Sequence, residues 1–327
     1  YENPHLEMPP KTRLSTEEIA ALETWVAMGA PDPRGGSVKK HSSGMSLEEG
    51  RKFWSYRRPE QAPVPQVKAT EGAGSAIDRF LLARMEAAGL SPAPTASPEA
   101  RLRRLHFDLT GLPPTPEEIR AFVADPSEEE WAREVDRLMA SAQFGERWGR
   151  HWLDLARYGE SYTLRGLIMR EAWRYRDYVI DAFNRDVPYD QFLREQIAGD
   201  LLPREGVALT EQQRRLVASG FLALGNHNLE EQDKRQLDLD IVDEQLDTIG
   251  KAFLGQTLGC ARCHDHKFDP VPTRDYHALA GILANTTILA HSNVSSWLDL
   301  PLPLDPTEEV RLASHEARLA TLETELK

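Results

Sequence analysis

Cysteine is nearly absent from this chain of 327 residues, which holds only Cys260 and Cys263. A disulfide-stapled scaffold is excluded, and the spacing of the pair asks for a chemical reason. Basic charge is also in deficit: 39 Lys and Arg stand against 52 Asp and Glu, for a net charge of -13. Binding to a phosphate backbone needs the opposite balance, so a nucleic-acid partner is excluded. A redox partner protein or a small-molecule substrate fits better. Long apolar runs are missing too. The longest are pieces such as Phe221-Leu222-Ala223-Leu224, against the ~20 residues a membrane-spanning helix needs, so the chain is not expected to be an integral membrane protein. Alternating strand patterns are not convincing and no Asn-Gly hairpin signal occurs. Tyr1 opens a polar, Pro-containing stretch without a leader-like apolar core. The chain is therefore expected to have lost a leader or to be part of a longer protein or assembly.

What remains is helix signal, and the expected fold class is mainly α. Ser15 followed by Glu18 is a capping box, with Ile19, Leu22, Trp25 and Val26 at helical spacing and Gly29 at the C-cap. Thr115-Pro116-Glu117-Glu118 combines an N-cap, a first-turn Pro and a capping-box Glu, and Ser127/Glu130 and Thr210/Gln213 repeat the box. The spacing predicts helices at about 75–88, 97–107, 116–124, 128–140, 144–160, 171–184, 189–199, 210–224, 236–254 and 274–284. Residues 1–33 read as a Pro-rich entry and one amphipathic helix, and 34–74 as a linker with Phe53, Trp54 and Tyr56 as a docking patch. Residues 75–295 read as an irregular helical domain. Residues 296–327 read as the start of a charged helix with Val310, Leu312, Leu319, Leu322 and Leu326 near heptad spacing, leading into a further helical region.

The two cysteines lie in Cys260-Ala261-Arg262-Cys263-His264, the pattern that attaches a c-type haem. Two thiols on one turn of chain add to the two porphyrin vinyl groups, and the next imidazole lies under the iron. Cys260 and Cys263 are thus expected to form thioethers and His264 to be the proximal ligand of at least one haem c. Arg262 and Lys267 are candidates for pairing with its propionates, within a charged shell that includes Asp265, Asp269, Arg274 and Asp275. For the sixth ligand the candidates are His151, His227, His277, His291, Met139 and Met169; His266 is too near His264 to reach the opposite face. The function expected is extracytoplasmic electron transfer in the periplasm or a secreted protein, with an oxidoreductase activity left open. Two other readings compete. Cys260, Cys263 and His264 or His266 could hold a structural zinc, although neighbouring ligands on so short a loop make poor tetrahedral geometry. Alternatively, Arg147-Trp148-Gly149-Arg150-His151-Trp152-Leu153-Asp154 and Trp173-Arg174-Tyr175-Arg176-Asp177-Tyr178 could line the pocket of a carbohydrate-active or other redox enzyme, or form a buried aromatic core.

Longer strings add a resemblance. Phe107-Asp108-Leu109-Thr110-Gly111-Leu112-Pro113-Pro114-Thr115, Gly145-Glu146-Arg147-Trp148, Ala198-Gly199-Asp200-Leu201-Leu202-Pro203 and Gly259 through Pro270 around the cysteine pair are similar to the planctomycete-type cytochrome c family over about residues 75–290. The resemblance implies a large secreted protein. A leading cytochrome c domain is followed by a domain ending in the haem motif and then by further domains. It also implies that Met8-Pro9-Pro10 closes a small cytochrome c-like domain over residues 1–33, with Met8 the sixth ligand of a first haem, although no Cys-x-x-Cys-His precedes it. The alternative is an ordinary Pro-capped helix. Between Gly159 and Glu171 the chain departs from the polar loop of its relatives, so any activity tied to that loop is in doubt.

Overall fold

The computed structural model describes residues 14–29, 45–68, 72–162, 167–225 and 227–326. Thirteen α-helices occur among them. They are α1 (Thr16–Ala27), α2 (Leu47–Lys52), α3 (Ala76–Ala87), α4 (Pro98–Leu109), α5 (Pro116–Ala124), α6 (Glu128–Met139) and α7 (Ala142–Leu155), followed by α8 (Ala172–Asn184), α9 (Tyr189–Ala198), α10 (Leu209–Ala218), α11 (Lys234–Ile249), α12 (Thr273–Leu283) and α13 (Pro306–Glu325). The mainly-α expectation is met. Met8 lies outside the described residues.

Local chemistry sets most helix starts. Reciprocal capping boxes close at Ser15/Glu18, Ser46/Glu49, Ser75/Asp78 and Thr115/Glu118, each cap contributing about 1 kcal/mol. Thr210 is different: α10 begins one residue earlier, with Ala208 at its N-cap and no side-chain cap. The helix predicted to reach residue 160 stops at Leu155, because Arg157 turns to φ 55° and sends its guanidinium inward to Glu244 and the Phe221 carbonyl. Two ribbons of two-residue strands, β1 (Ser161–Tyr162) with β2 (Leu167–Ile168) and β3 (Leu289–Ala290) with β4 (Ser296–Trp297), are too short to show an alternating pattern.

α4, α5 and α6 pack around Leu102, Phe122 and Leu138. The larger core begins where α7 and α8 lie antiparallel. Gly145 makes this approach possible: a Cβ there would sit 2.4 Å from the Ile180 carbonyl oxygen, and its N–H donates to Asn184 Oδ1 at 2.8 Å. Trp152, Tyr175, Tyr178, Val179, Phe192 and Phe221 fill the space beneath. α11 then joins two smaller cores. Leu237 and Ile241 meet Leu229 and Leu289, while Val242 and Leu246 meet Ala261, Tyr276 and Leu283.

The end of α11 builds the site. The helix runs into a π turn, Gly250–Leu254, which stops at Gly255 with φ 63°. The chain folds back so tightly that a Cβ on Gly250 would lie 2.6 Å from Leu258 Cγ and 2.7 Å from the Gln256 carbonyl oxygen. This return delivers the 3-10 turn Leu258–Ala261 to the side of α11.

Candidate functional site

Leu258 and Ala261 of that turn are buried, and Cys260 and Cys263 consequently face outward. Both thiols are free. Behind them Arg262 Nη1 donates to Asp243 Oδ2 at 2.9 Å, and its Nη2 lies 3.7 Å from Asp240 Oδ1. The Tyr276 hydroxyl donates to Asp243 Oδ1 and is pushed well above its ordinary range by burial and by that carboxylate. Arg262, expected at a propionate, is thus committed to α11. Lys267 is exposed, with its Nζ 5.2 Å from the centre of the Phe268 ring.

His264 is exposed, and its Nδ1 lies 2.8 Å from the Asp265 carbonyl oxygen. A carbonyl only accepts, so Nδ1 carries the proton and Nε2 keeps its lone pair for a ligand bond. Asp265 Oδ1 in turn accepts from Thr273 N–H at 2.9 Å, which ties this residue to the start of α12. His266 is the reverse. It is 4% exposed, its Nδ1 accepts the N–H groups of Phe268 (3.2 Å) and Asp269 (2.8 Å), and Nε2 is left to donate to Thr257 Oγ1 at 3.0 Å. His266 holds the loop and has no free nitrogen for zinc.

Part of the stretch read as a linker folds onto this loop. The N–H of Met45 donates to the Phe268 carbonyl, and Gly50 of α2 sits against Pro270. The Tyr56 hydroxyl donates to Asp269 Oδ1 at 3.0 Å and accepts from Gln256 Nε2 at 2.8 Å. Between α2 and the loop lies an open cleft of about 760 Å³, lined by Met45, Ser46, Glu49, Asp265, His266 and Arg274 among others. Trp54, two residues past the end of α2, is 78% exposed and Phe268 is 69% exposed. The docking partners Asp269 and Gln256 lie some two hundred positions from Tyr56 and leave no local sequence signal. The same holds for Asp243 and Tyr276 behind the motif.

The sixth-ligand candidates scatter. His227 packs edge-on to Trp297 at 5.3 Å; burial, helped by the Arg157 charge, pulls its pKa down to about 4. His291 contacts Asp238 at 3.2 Å and Ser295 at 3.4 Å. His151 is exposed on α7 against Trp148, and His277 is exposed on α12 against Tyr276. Met139 is half exposed, whereas Met169 packs into the core. The two aromatic strings divide between core and surface. Trp152 Nε1 donates to the Tyr175 hydroxyl, which donates to Gln196; Tyr178 donates to Glu195. Those three rings are packed into the interior. Trp173 stays outside, stacked on Arg174.

Among the described residues, one group of His, Cys, Asp and Glu brings three ligand atoms within 4.8 Å of one another: His106, Glu118 and Glu134. Its charges are closed within the protein, since Arg137 pairs with both carboxylates at 2.8 and 2.6 Å and His106 with Glu134 at 2.8 Å. Cys260, Cys263 and His264 do not converge in this way.

No curated protein and no solved structure matches the chain. A family model does, over residues 76–288, a span that opens at α3 and closes just after α12 with the cysteine loop inside it. The chain accordingly belongs to the PSCyt2 family, described as proteins of unknown function (DUF1549).

Proposed function

We propose that the chain is an extracytoplasmic c-type haem module that passes electrons within a larger redox protein. One observation carries the reading: two free, outward-facing thiols share a turn with an imidazole whose Nδ1 is tied to a backbone carbonyl and whose Nε2 is open. Cys260 and Cys263 would hold the porphyrin, and His264 Nε2 would bind the iron. When bound, the haem supplies a one-electron couple whose potential depends on its axial ligands and surroundings.

The protein's own part is positioning. Asp265 fixes the ring and tautomer of His264 through its carbonyl and anchors that residue to α12 through its carboxylate. Asp243 holds Arg262, and with it the middle of the motif, against α11. His266 and Tyr56 brace the loop through Asp269. Phe268, four residues beyond His264 on the same loop, is largely exposed and offers apolar surface to an apolar macrocycle. Periplasmic or secreted localisation follows from this reading, because covalent haem is attached outside the cytoplasm.

The test is expression with a cytochrome c maturation system, followed by oxidised and reduced absorption spectra and acid–acetone extraction. The expected result is a Soret band that stays with the protein and is lost in Cys260→Ser/Cys263→Ser. Stoichiometric zinc without iron, or a Cys260–Cys263 disulfide in matured protein, would overturn the proposal.

A further inference from the structure

α13 runs for 20 residues and buries none of them. Its apolar positions are nonetheless ordered. Leu312, Leu319 and Leu326 recur every seven residues, with His315 and Leu322 three residues after the first two. From Leu312 to Leu326 this is the a/d seam of a coiled coil, with leucines at every position except His315, while the d position one turn before Leu312 holds Glu308. Leu312, Leu319 and Leu322 are 45%, 45% and 44% exposed, as on a bare helix, and Leu326 is 87% exposed. Val310 falls outside the seam.

The flanking charges say what covers it. With Leu312 at position a, Arg311, Arg318 and Glu325 fall at g, while Glu309, Glu316 and Glu323 fall at e. In a parallel pair of identical helices, each g side chain meets the e side chain five residues later on its partner. Arg311 would face Glu316, and Arg318 would face Glu323, in both directions across the two-fold axis. In an antiparallel pair the e positions face one another, which sets glutamates against glutamates. The pattern is self-complementary in one orientation only.

We infer that α13 is a self-association site at which two copies of this chain form a parallel two-stranded coiled coil. The seam carries one histidine layer among its leucines, which weakens it and makes the association concentration-dependent. It brings two copies of the domain to the same side of the coil. The inference is independent of whether haem is bound.

Sedimentation velocity of the whole chain across a range of micromolar concentrations tests it. The mass should rise from one chain towards two with concentration. Leu319→Asp/Leu322→Asp should weaken association by about tenfold or more. The melting temperature of the domain should stay unchanged, because neither side chain is buried in the single chain. Arg311→Glu/Arg318→Glu should weaken it as well. Orientation is read from Leu326→Cys in a Cys260→Ser/Cys263→Ser background, where a parallel pair oxidises to a linked dimer. A single-chain mass at every concentration, a dimer that survives the Leu319/Leu322 change, or a dimer that never links through position 326 would each overturn the inference.

Discussion

His264 and His266 stand two residues apart with opposite tautomers. His264 carries its proton on Nδ1, 2.8 Å from a carbonyl, whereas His266 accepts two backbone N–H groups on Nδ1 and donates from Nε2. The two rings have separate roles. His264→Ala should leave the melting temperature of the haem-free protein nearly unchanged and alter the iron spectrum of the loaded one. His266→Ala should cost about 2–3 kcal/mol by orphaning buried donors, measured by denaturant unfolding. Equal destabilisation by both changes would contradict the assignment.

Tyr56 joins the segment around α2 to the cysteine loop through Asp269 and Gln256. Tyr56→Phe keeps the ring and removes both bonds, and stability should fall by about 1 kcal/mol. Amide exchange should rise over residues 46–56 and 265–270 together. A rise confined to one of the two stretches would show that they are not coupled.

His227 should make the protein acid-sensitive above the range where carboxylates titrate. Its pKa falls from 6.5 to about 4 on folding, because burial and Arg157 disfavour the imidazolium. Glu244 Oε2 at 3.7 Å offers little relief, since that carboxylate is paired with Arg157. The unfolded chain therefore binds the proton first. Stability is unaffected above pH 6.5 and falls as the pH drops from there towards 4, by up to about 3 kcal/mol. His227→Gln should flatten this slope in urea titrations at several pH values. An unchanged slope would place the acid sensitivity elsewhere.

Two glycines give a contrasting pair. A Cβ at Gly145 would press on the Ile180 carbonyl and the Asn184 amide, while one at Gly281 of α12 meets nothing within 4 Å. Gly145→Ala should cost about 1–3 kcal/mol by forcing α7 from α8. Gly281→Ala should be neutral or stabilising by up to about 1 kcal/mol. Thermal melts of the two variants decide it.

Helix positions were legible because the caps are local chemistry. Ser15, Ser75 and Thr115 each bond an N–H three residues on, and such pairs can be read without knowing the fold. Thr210 shows the limit: it has the same spacing, yet Ala208 starts the helix and packing decides. The left-handed Arg157 was hidden because its cause, Glu244, lies on a distant helix. The motif residues Cys260, Cys263 and His264 announced themselves by spacing. Their supports Asp243, Tyr276, Gln256 and Tyr56 did not, because each contact spans many residues. Arg262 looked free to meet a propionate until α11 supplied Asp243 and Asp240.

The central claim is a covalent one, and mass spectrometry of a proteolytic fragment containing both Cys260 and Cys263 from matured protein tests it most directly. The account predicts a fragment heavier by one haem, with neither sulfur open to alkylation. A fragment of unmodified mass that takes up two alkyl groups would contradict it.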